Sequence, residues 1–236
     1  MQRPRKATPR NKITSMSRLY IYHHSGSENR KASKEAGMNF LQKRLQAETG
    51  AEFPPRMARS EKGKPFLPQY PELCFNLSDS GGYIALVFSS TPIGIDLETI
   101  SPRPYQGVLP RWFLESEYRF LSDCEPEREL CRFIHLWTCK ESLLKHIGCG
   151  LGAEMKEHPL HWRKPAENAE AEAYAFYRER ELVFDSLLIQ NGRIRPWKAE
   201  HARPGNLICT VCRQKDEAPV SEIITLEEPA VPKERF

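Results

Sequence analysis

Hydrophobic residues recur at helical spacing along Phe133–Gly148, FIHLWTCKESLLKHIG, and this pattern predicts an amphipathic helix. The apolar face carries Phe133, Leu136, Trp137, Leu143, Leu144 and Ile147. The opposite side carries His135, Thr138, Ser142 and His146. Lys140 breaks the pattern because it projects from near the middle of the apolar arc, where an ammonium needs a route to water or an anion.

Glu141 and Lys145 lie four residues apart along one edge of the same arc, which is the spacing of a helical ion pair. Two interpretations fit this helix. It is either a surface helix with one good ion pair, or a place where a carboxylate between two lysines handles an anionic substrate.

The segment Ile93–Ile100, IGIDLETI, alternates as a strand. Ile93, Ile95 and Leu97 share one face, and Gly94, Asp96 and Glu98 share the other. Two carboxylates on one strand face repel each other unless they are solvated or bridged by a cation, and oxygen ligands suit Mg²⁺ or Mn²⁺. The alternative is a solvent-facing edge with ordinary polar alternation.

The remaining patterns predict a mixture of strands and helices, and a hairpin is the clearest of them. Asp79-Ser80-Gly81-Gly82 joins two strand-like segments, which is a strong turn signal. The predicted strands are Ser17–His24, Leu73–Ser80, Tyr83–Ser89, Ala173–Phe176, Leu182–Phe184, Leu187–Gln190 and Asn206–Cys212. The predicted helices are Glu28–Ala47, Pro110–Ser122 and Glu127–Cys149.

The net charge of +4 over 236 residues is concentrated at the N-terminus. Residues 1–17 contain five basic side chains and no acidic one, which leaves the rest of the chain at −1. We therefore expect residues 1–17 to be a basic disordered tail, or an artefact of start-site choice in which Met16 is the alternative start. We expect the rest of the chain not to bind nucleic acid. With no long apolar run and no signal-peptide pattern, we expect a cytoplasmic protein without a membrane partner.

The seven cysteines are scattered, which favours free thiols in a reducing compartment. Cys209 and Cys212 form a lone CxxC that we interpret as buried thiols on a strand rather than a zinc site. A cationic turn is the other chemical feature, because Lys62 and Lys64 flank Gly63, and such a turn can cradle phosphate.

Four motifs follow one another along the chain: GKP at Gly63–Pro65, FNLSDSG at Phe75–Gly81, IGIDLE at Ile93–Glu98 and WTCKESLLK at Trp137–Lys145. In this order the chain resembles the 4′-phosphopantetheinyl transferase superfamily, and most closely its long, surfactin-synthetase-activating type. That family pairs G-[IV]-D with [FW]-x-x-K-E-[SA]-x-x-K, a little over forty residues apart, and every signature position is filled here.

The resemblance implies the α+β fold class and a pseudodimer of two similar halves that meet near residue 91. Each half would be a small, mainly antiparallel sheet packed by a long helix. The expected division is a tail at 1–17, an N-terminal half at 18–91, a C-terminal half with the metal site at 92–226, and a frayed end at 227–236. Such a chain is expected to be a monomer, with coenzyme A in the cleft between the halves.

The resemblance also assigns roles to residues. Asp96, Glu98 and Glu141 match the metal-binding acids, and Glu141 also matches the proposed general base. Lys140 and Lys145 match the lysines near the transferred phosphate. The nucleotide end of coenzyme A would be bound by Lys64, Pro65, Ser78, Asp79 and Ser80. Asp79 departs from the family, which usually has histidine there, and an aspartate would repel phosphate unless a cation intervenes.

The implied activity is Mg²⁺-dependent transfer of 4′-phosphopantetheine from coenzyme A to a serine of an acyl or peptidyl carrier protein, with release of 3′,5′-ADP. Two alternatives stay open. The chain could be a non-catalytic homologue that binds coenzyme A or a nucleotide, or its basic tail could mark a nucleic-acid-binding module.

Overall fold

The computed structural model describes residues 17–24, 30–119, 121, 125–150, 152–163, 174–177, 181–217, 219–220 and 222–227. The first seven elements of the fold are β1 (Arg18–His23), α1 (Arg30–Thr49), β2 (Ala58–Arg59), β3 (Pro65–Phe66), β4 (Cys74–Ser80), β5 (Tyr83–Ser89) and β6 (Gly94–Thr99). Three helices follow: α2 (Leu109–Trp112), α3 (Glu115–Tyr118) and α4 (Pro126–Ile147). The last strands are β7 (His161–Arg163), β8 (Tyr174–Tyr177), β9 (Leu182–Gln190), β10 (Arg193–Pro196), β11 (Leu207–Gln214) and β12 (Glu222–Glu227).

Two main sheets pack between two long helices. The first sheet has the order β12-β1-β5-β4, and the second has the order β6-β11-β9-β8-β7, with β10 paired to β9. Three apolar clusters separate the layers. One lies between α1 and the first sheet, one between the two sheets, and one between the second sheet and α4. The α+β class is confirmed, whereas the division into two similar halves stays a prediction.

Strand β1 shows why the first sheet is buried on both faces. Leu19 and Ile21 enter the cluster between the sheets, while Tyr20 and Tyr22 enter the cluster beneath α1. Because side chains alternate along a strand, one short run supplies two cores. The sequence pattern predicted this strand and its alternation, and both are confirmed.

The β4–β5 hairpin is also confirmed. Its turn consists of Gly81 and Gly82, with φ of 57° and 79°, the left-handed conformation that a two-residue hairpin turn requires. In contrast, no sequence signal predicted β12. This strand returns from the C-terminal part of the chain to pair in parallel with β1, so the first sheet needs residues from both ends of the described chain.

Two predicted elements are corrected. The helix expected at Pro110–Ser122 is two short helices, α2 and α3, because the backbone is extended at Phe113, which is fully buried in the core beneath α4. The two strands expected at Leu182–Phe184 and Leu187–Gln190 form one strand, β9. The predicted tails are 1–17 and 227–236, and all of their residues except Ser17 and Glu227 lie outside the described residues.

Helix α4, predicted at Glu127–Cys149, spans Pro126–Ile147. It begins with Pro126 in its first turn and ends at Gly148, whose left-handed φ of 88° lets its N–H bond back to the carbonyl of Leu144. However, its polar side does not face solvent. His135, Thr138, Ser142 and His146 are all buried, and Thr138 donates or accepts a hydrogen bond with Thr210 of β11 at 2.8 Å. The surface-helix interpretation is therefore wrong.

The thiols of the described residues are free, as the cysteine pattern predicted. Cys209 and Cys212 of β11 are buried in different clusters, because residues three apart on a strand point to opposite faces. They therefore cannot chelate one metal together. No helix among the described residues is long and apolar enough to cross a membrane.

Candidate active site

The site is organised by a close contact between β6 and α4. A Cβ added at Gly94 would lie 2.0 Å from the carbonyl oxygen of Ser142 and 2.5 Å from the backbone nitrogen of His146. Only glycine fits a strand backbone that touches a helix backbone this closely. The contact brings the polar face of β6 beside the turn of α4 that carries Glu141 and Lys145.

Asp96 lies at the centre of this contact and is 4% exposed. Its Oδ1 accepts hydrogen bonds from Nζ of Lys145 at 2.6 Å and from Oγ of Ser78 on β4 at 2.9 Å. Its Oδ2 is buried and has no hydrogen-bond partner among the residues that the structure describes. A buried carboxylate oxygen without a partner costs free energy, so this atom is suited to meeting a cation.

The three predicted metal-binding acids influence one another electrostatically. Burial is the main cause that raises the pKa of Glu141 to about 7, and the carboxylates of Asp96 and Glu98 add to it, while Lys145 acts in the opposite direction. Burial and Asp96 also raise the pKa of Glu98, against the effect of Arg103, whose guanidinium lies 3.3 Å from Oε2 of Glu98. In both cases burial is the largest cause, and the neighbouring carboxylate of Asp96 adds to it.

Lys145 is the cation of this cluster. Burial alone would lower its pKa, but Asp96 and Glu141 outweigh that effect and raise the pKa above its ordinary value. Its ammonium also contacts Oγ of Ser78 at 3.1 Å. It therefore stays protonated at neutral pH and holds Asp96 and Ser78 together.

The donor chemistry fits a hard divalent cation. Asp96, Glu98 and Glu141 supply carboxylate oxygens, the ligands that Mg²⁺ and Mn²⁺ prefer, and Oδ2 of Asp96 is an unused buried acceptor. Within the described residues the carboxylates are not gathered into a set of three with ligand geometry. Instead, the side chains of Lys145 and Arg103 turn toward two of these acids, Asp96 and Glu98.

Lys140 lies elsewhere. It is fully buried, and its ammonium donates to Oε1 of Glu117 at 2.5 Å and to the carbonyl oxygens of Met155 and His158 at 3.0 and 2.8 Å. It also lies 5.3 Å from the ring centre of Phe113. These three acceptors use all three ammonium protons. This placement disfavours a contact between Lys140 and phosphate, which stays a prediction.

Lys64 and Pro65 line a cavity of about 670 Å³ beside the C-terminal end of α4. Nζ of Lys64 donates to the carbonyl oxygens of Ile93 and His146 at 3.2 and 3.0 Å. Burial lowers the pKa of Lys64. Lys64 therefore ties its loop to the start of β6 and the end of α4, and its contact with a nucleotide stays a prediction.

Ser78, Asp79 and Ser80 point to different sides of β4. Ser78 faces Asp96, and Oγ of Ser80 lies 3.0 Å from Oγ1 of Thr99 on β6. Asp79 is exposed on the opposite face and lines a separate cavity with Lys31 and Lys34 of α1. The structure thus brings Ser78, Asp96, Glu141 and Lys145 together, and leaves Asp79 outside this group.

Sequence reasoning missed three residues that support the site: Glu117, Arg103 and Asn76. Nothing local marks Glu117 as the partner of Lys140, since 23 positions separate them. Asn76 had a usable signal, because it alternates with Ser78 and Ser80 along β4, and its Oδ1 accepts the backbone N–H of Ile95 at 2.9 Å.

The model of the 4′-phosphopantetheinyl transferase superfamily matches residues 92–212, which include Asp96, Glu98, Glu141 and Lys145. The chain belongs to this superfamily. It is similar to a 4′-phosphopantetheinyl transferase of Bacillus subtilis, 41% identical over 91 residues, which cover 39% of this chain and 40% of that protein.

The superfamily assignment is supported by further relatives. The 4′-phosphopantetheinyl transferase Sfp of Bacillus subtilis (strain 168) is 38% identical over 96 residues, 41% of this chain and 42% of its own length. The 4′-phosphopantetheinyl transferase AcpT of Salmonella typhi is 38% identical over 96 residues, 40% of this chain and 50% of its own length. The chain therefore matches about half or less of the length of these superfamily members.

Proposed function

We propose that the protein transfers 4′-phosphopantetheine from coenzyme A to a serine of an acyl or peptidyl carrier protein and releases 3′,5′-ADP. The observation that carries this proposal is the meeting of Asp96, Glu141 and Lys145 at the β6–α4 contact, with a buried acceptor oxygen on Asp96. Crowded carboxylates next to a lysine suit a magnesium-held pyrophosphate. Membership of the superfamily supports the same activity.

In this proposal Asp96, Glu98 and Glu141 would hold Mg²⁺, which would neutralise charge on the pyrophosphate. Lys145 gives up part of its contact with Asp96 and stabilises charge on the leaving 3′,5′-ADP. Ser78, which already bonds to Asp96 and Lys145, orients both. The nucleotide lies toward Lys64 and Pro65, in the cleft between the two halves.

The reaction forms one bond and breaks one. The hydroxyl oxygen of the carrier serine attacks the phosphorus that bears pantetheine, and the bond from that phosphorus to the oxygen of 3′,5′-ADP breaks. Glu141 takes the hydroxyl proton.

Incubation of the purified protein with coenzyme A, Mg²⁺ and a panel of apo carrier proteins tests the proposal. We expect intact-mass spectrometry to show the addition of one phosphopantetheine to at least one carrier. Glu141→Gln should lose this activity. Glu129→Gln, a change on the same helix about 18 Å away along its axis, is the matched control and should keep it.

Two results would contradict parts of the proposal. Calorimetric binding of coenzyme A without modification of any carrier would favour a non-catalytic homologue. Unchanged turnover by a folded Glu141→Gln protein would refute the role given to that carboxylate. The proposed organisation, a monomeric pseudodimer, is tested separately by light scattering.

A further inference from the structure

Within the described part of the chain, one edge of strand β6 is not paired to another strand in its sheet. It is the terminal strand of the second sheet, hydrogen-bonded to β11 on one side, and its other edge faces β4. There the N–H of Ile95 donates to Oδ1 of Asn76 at 2.9 Å, and the N–H of Thr99 donates to Oγ of Ser80 at 3.0 Å. Side chains of β4 thus take the place of a neighbouring strand.

Asn76 acts on the segment that carries the acidic site. Ile95, whose N–H it accepts, lies between Gly94, where the strand touches α4, and Asp96. Asn76 is 7% exposed, so water competes little for this hydrogen bond. Two residues further along the same face of β4, Ser78 donates to Asp96 itself.

We infer that Asn76 is a positioning residue for cation binding. By holding the backbone N–H of Ile95, it fixes where the neighbouring Asp96 lies relative to Glu141. This inference rests on the metal role proposed above for Asp96. Carboxylates act as metal ligands only within a narrow range of geometry, and residues that orient ligands affect metal affinity about 10–100-fold. Without the Asn76 acceptor, the remaining hydrogen bonds close to Asp96 are the pairing of β6 with β11 and the bonds from Ser78 and Lys145 to the Asp96 side chain.

Titration of the purified protein with Mn²⁺, followed by electron paramagnetic resonance with and without coenzyme A, tests the inference. We expect Asn76→Ala to weaken Mn²⁺ binding at least about tenfold. Tyr20→Phe is the control, because it also removes one hydrogen bond of the first sheet, the partly buried bond from Tyr20 to Glu48 at 2.8 Å, but on the α1 side. This variant should bind Mn²⁺ like the unchanged protein.

Asn76→Asp is the second variant, and it keeps the test valid if Asn76→Ala does not fold. It retains an oxygen acceptor for the N–H of Ile95, so its Mn²⁺ affinity should be no weaker than that of the unchanged protein. A tenfold loss in this variant would overturn the inference.

The outcomes separate the inference from the proposed function. If Asn76→Ala and Tyr20→Phe lose similar stability and both bind Mn²⁺ normally, Asn76 is only structural and the inference fails. If the unchanged protein binds Mn²⁺ no better than its Asp96→Asn variant, the metal site of the proposed function fails instead.

Discussion

Lys140 and Glu117 form an ion pair whose side chains are fully buried. Such a pair stabilises the fold only if its charged groups are completely hydrogen-bonded. Glu117 accepts from the backbone N–H groups of Leu114 and Leu160 as well as from Lys140, and both of its oxygens are used. The pair thus ties α3, α4 and the segment before β7 together. This pair explains why Lys140 interrupts the apolar face of α4.

We predict that Lys140→Met destabilises the protein by about 3–5 kcal/mol, because it leaves the Glu117 carboxylate buried without its cation. Combining it with Glu117→Leu should cost clearly less than the sum of the two single changes. Urea unfolding of the three variants measures this coupling. Lys215→Met, which breaks a surface pair with Glu181 at 3.8 Å, is the control and should cost less than about 1 kcal/mol. Additive losses would contradict the prediction.

His135 makes the stability of the protein depend on pH, because its pKa differs between the folded and the unfolded chain. Burial lowers its pKa to about 3, and its Nε2 lies 2.8 Å from Oγ of Ser186. The folded protein therefore binds fewer protons at this site than the unfolded chain, whose histidine has a pKa of about 6.5. The stability contributed by the neutral ring is complete above about pH 6.5 and is lost as pH falls toward 3.

We predict that the free energy of unfolding falls by up to about 1.4 kcal/mol per pH unit below pH 6.5 from this group alone. His135→Gln keeps a hydrogen-bonding group but does not titrate, so its unfolding free energy should depend less steeply on pH. Urea unfolding at several pH values between 7.5 and 5 compares the two slopes. Equal slopes would show that His135 does not carry this dependence.

At the scale of elements, the site depends on how closely α4 lies on β6. The Ser142 carbonyl and the His146 nitrogen both belong to the helix backbone, so neither can move without shifting α4. Glu141 and Lys145 lie in the same stretch of helix, and Asp96 lies two residues after Gly94 on the strand. A displaced helix would therefore separate the carboxylates from one another and from Lys145.

We predict that Gly94→Ala destabilises the protein by on the order of 3 kcal/mol or more, because the new methyl group overlaps backbone atoms. It should also weaken Mn²⁺ binding, since it moves Glu141 relative to Asp96. Gly107→Ala is the matched control, because a Cβ there meets no atom within 4 Å, and it should change neither property. Thermal unfolding and Mn²⁺ titration of both variants provide the measurements; near-normal values for Gly94→Ala would refute the close contact.

Patterns within one element were predictable from the sequence, and contacts between distant elements were not. The alternation of β6 and the two glycines of the hairpin are local, so they correctly placed Asp96 and the β4–β5 turn. Periodicity also found α4, but it could not show that both sides of this helix are buried. The partner of Lys140 depends on a contact across 23 positions, which no local pattern records.

At the scale of the whole molecule, β12 joins the two ends of the described chain, because it pairs in parallel with β1. This strand covers the edge of β1, and Ile224 and Leu226 pack against the apolar cluster beneath α1. Arg18 of β1 also pairs with Glu48 of α1 at 2.6 Å and with Glu222 of β12 at 3.3 Å. The C-terminal segment therefore helps to hold the first sheet, which carries Ser78 and Asn76 of the site.

We predict that a chain ending at residue 220 is less stable and aggregates more readily, because it lacks β12 and leaves the β1 edge open to pairing with another molecule. A chain ending at residue 227 is the matched control, because it keeps the whole of β12. The melting temperature and the light scattering on heating compare the two truncated chains. If both melt alike and stay monomeric, β12 contributes nothing to the first sheet. A lower melting temperature for the shorter chain alone would show that β12 stabilises the sheet that carries Ser78 and Asn76, although it lies far from both in the sequence.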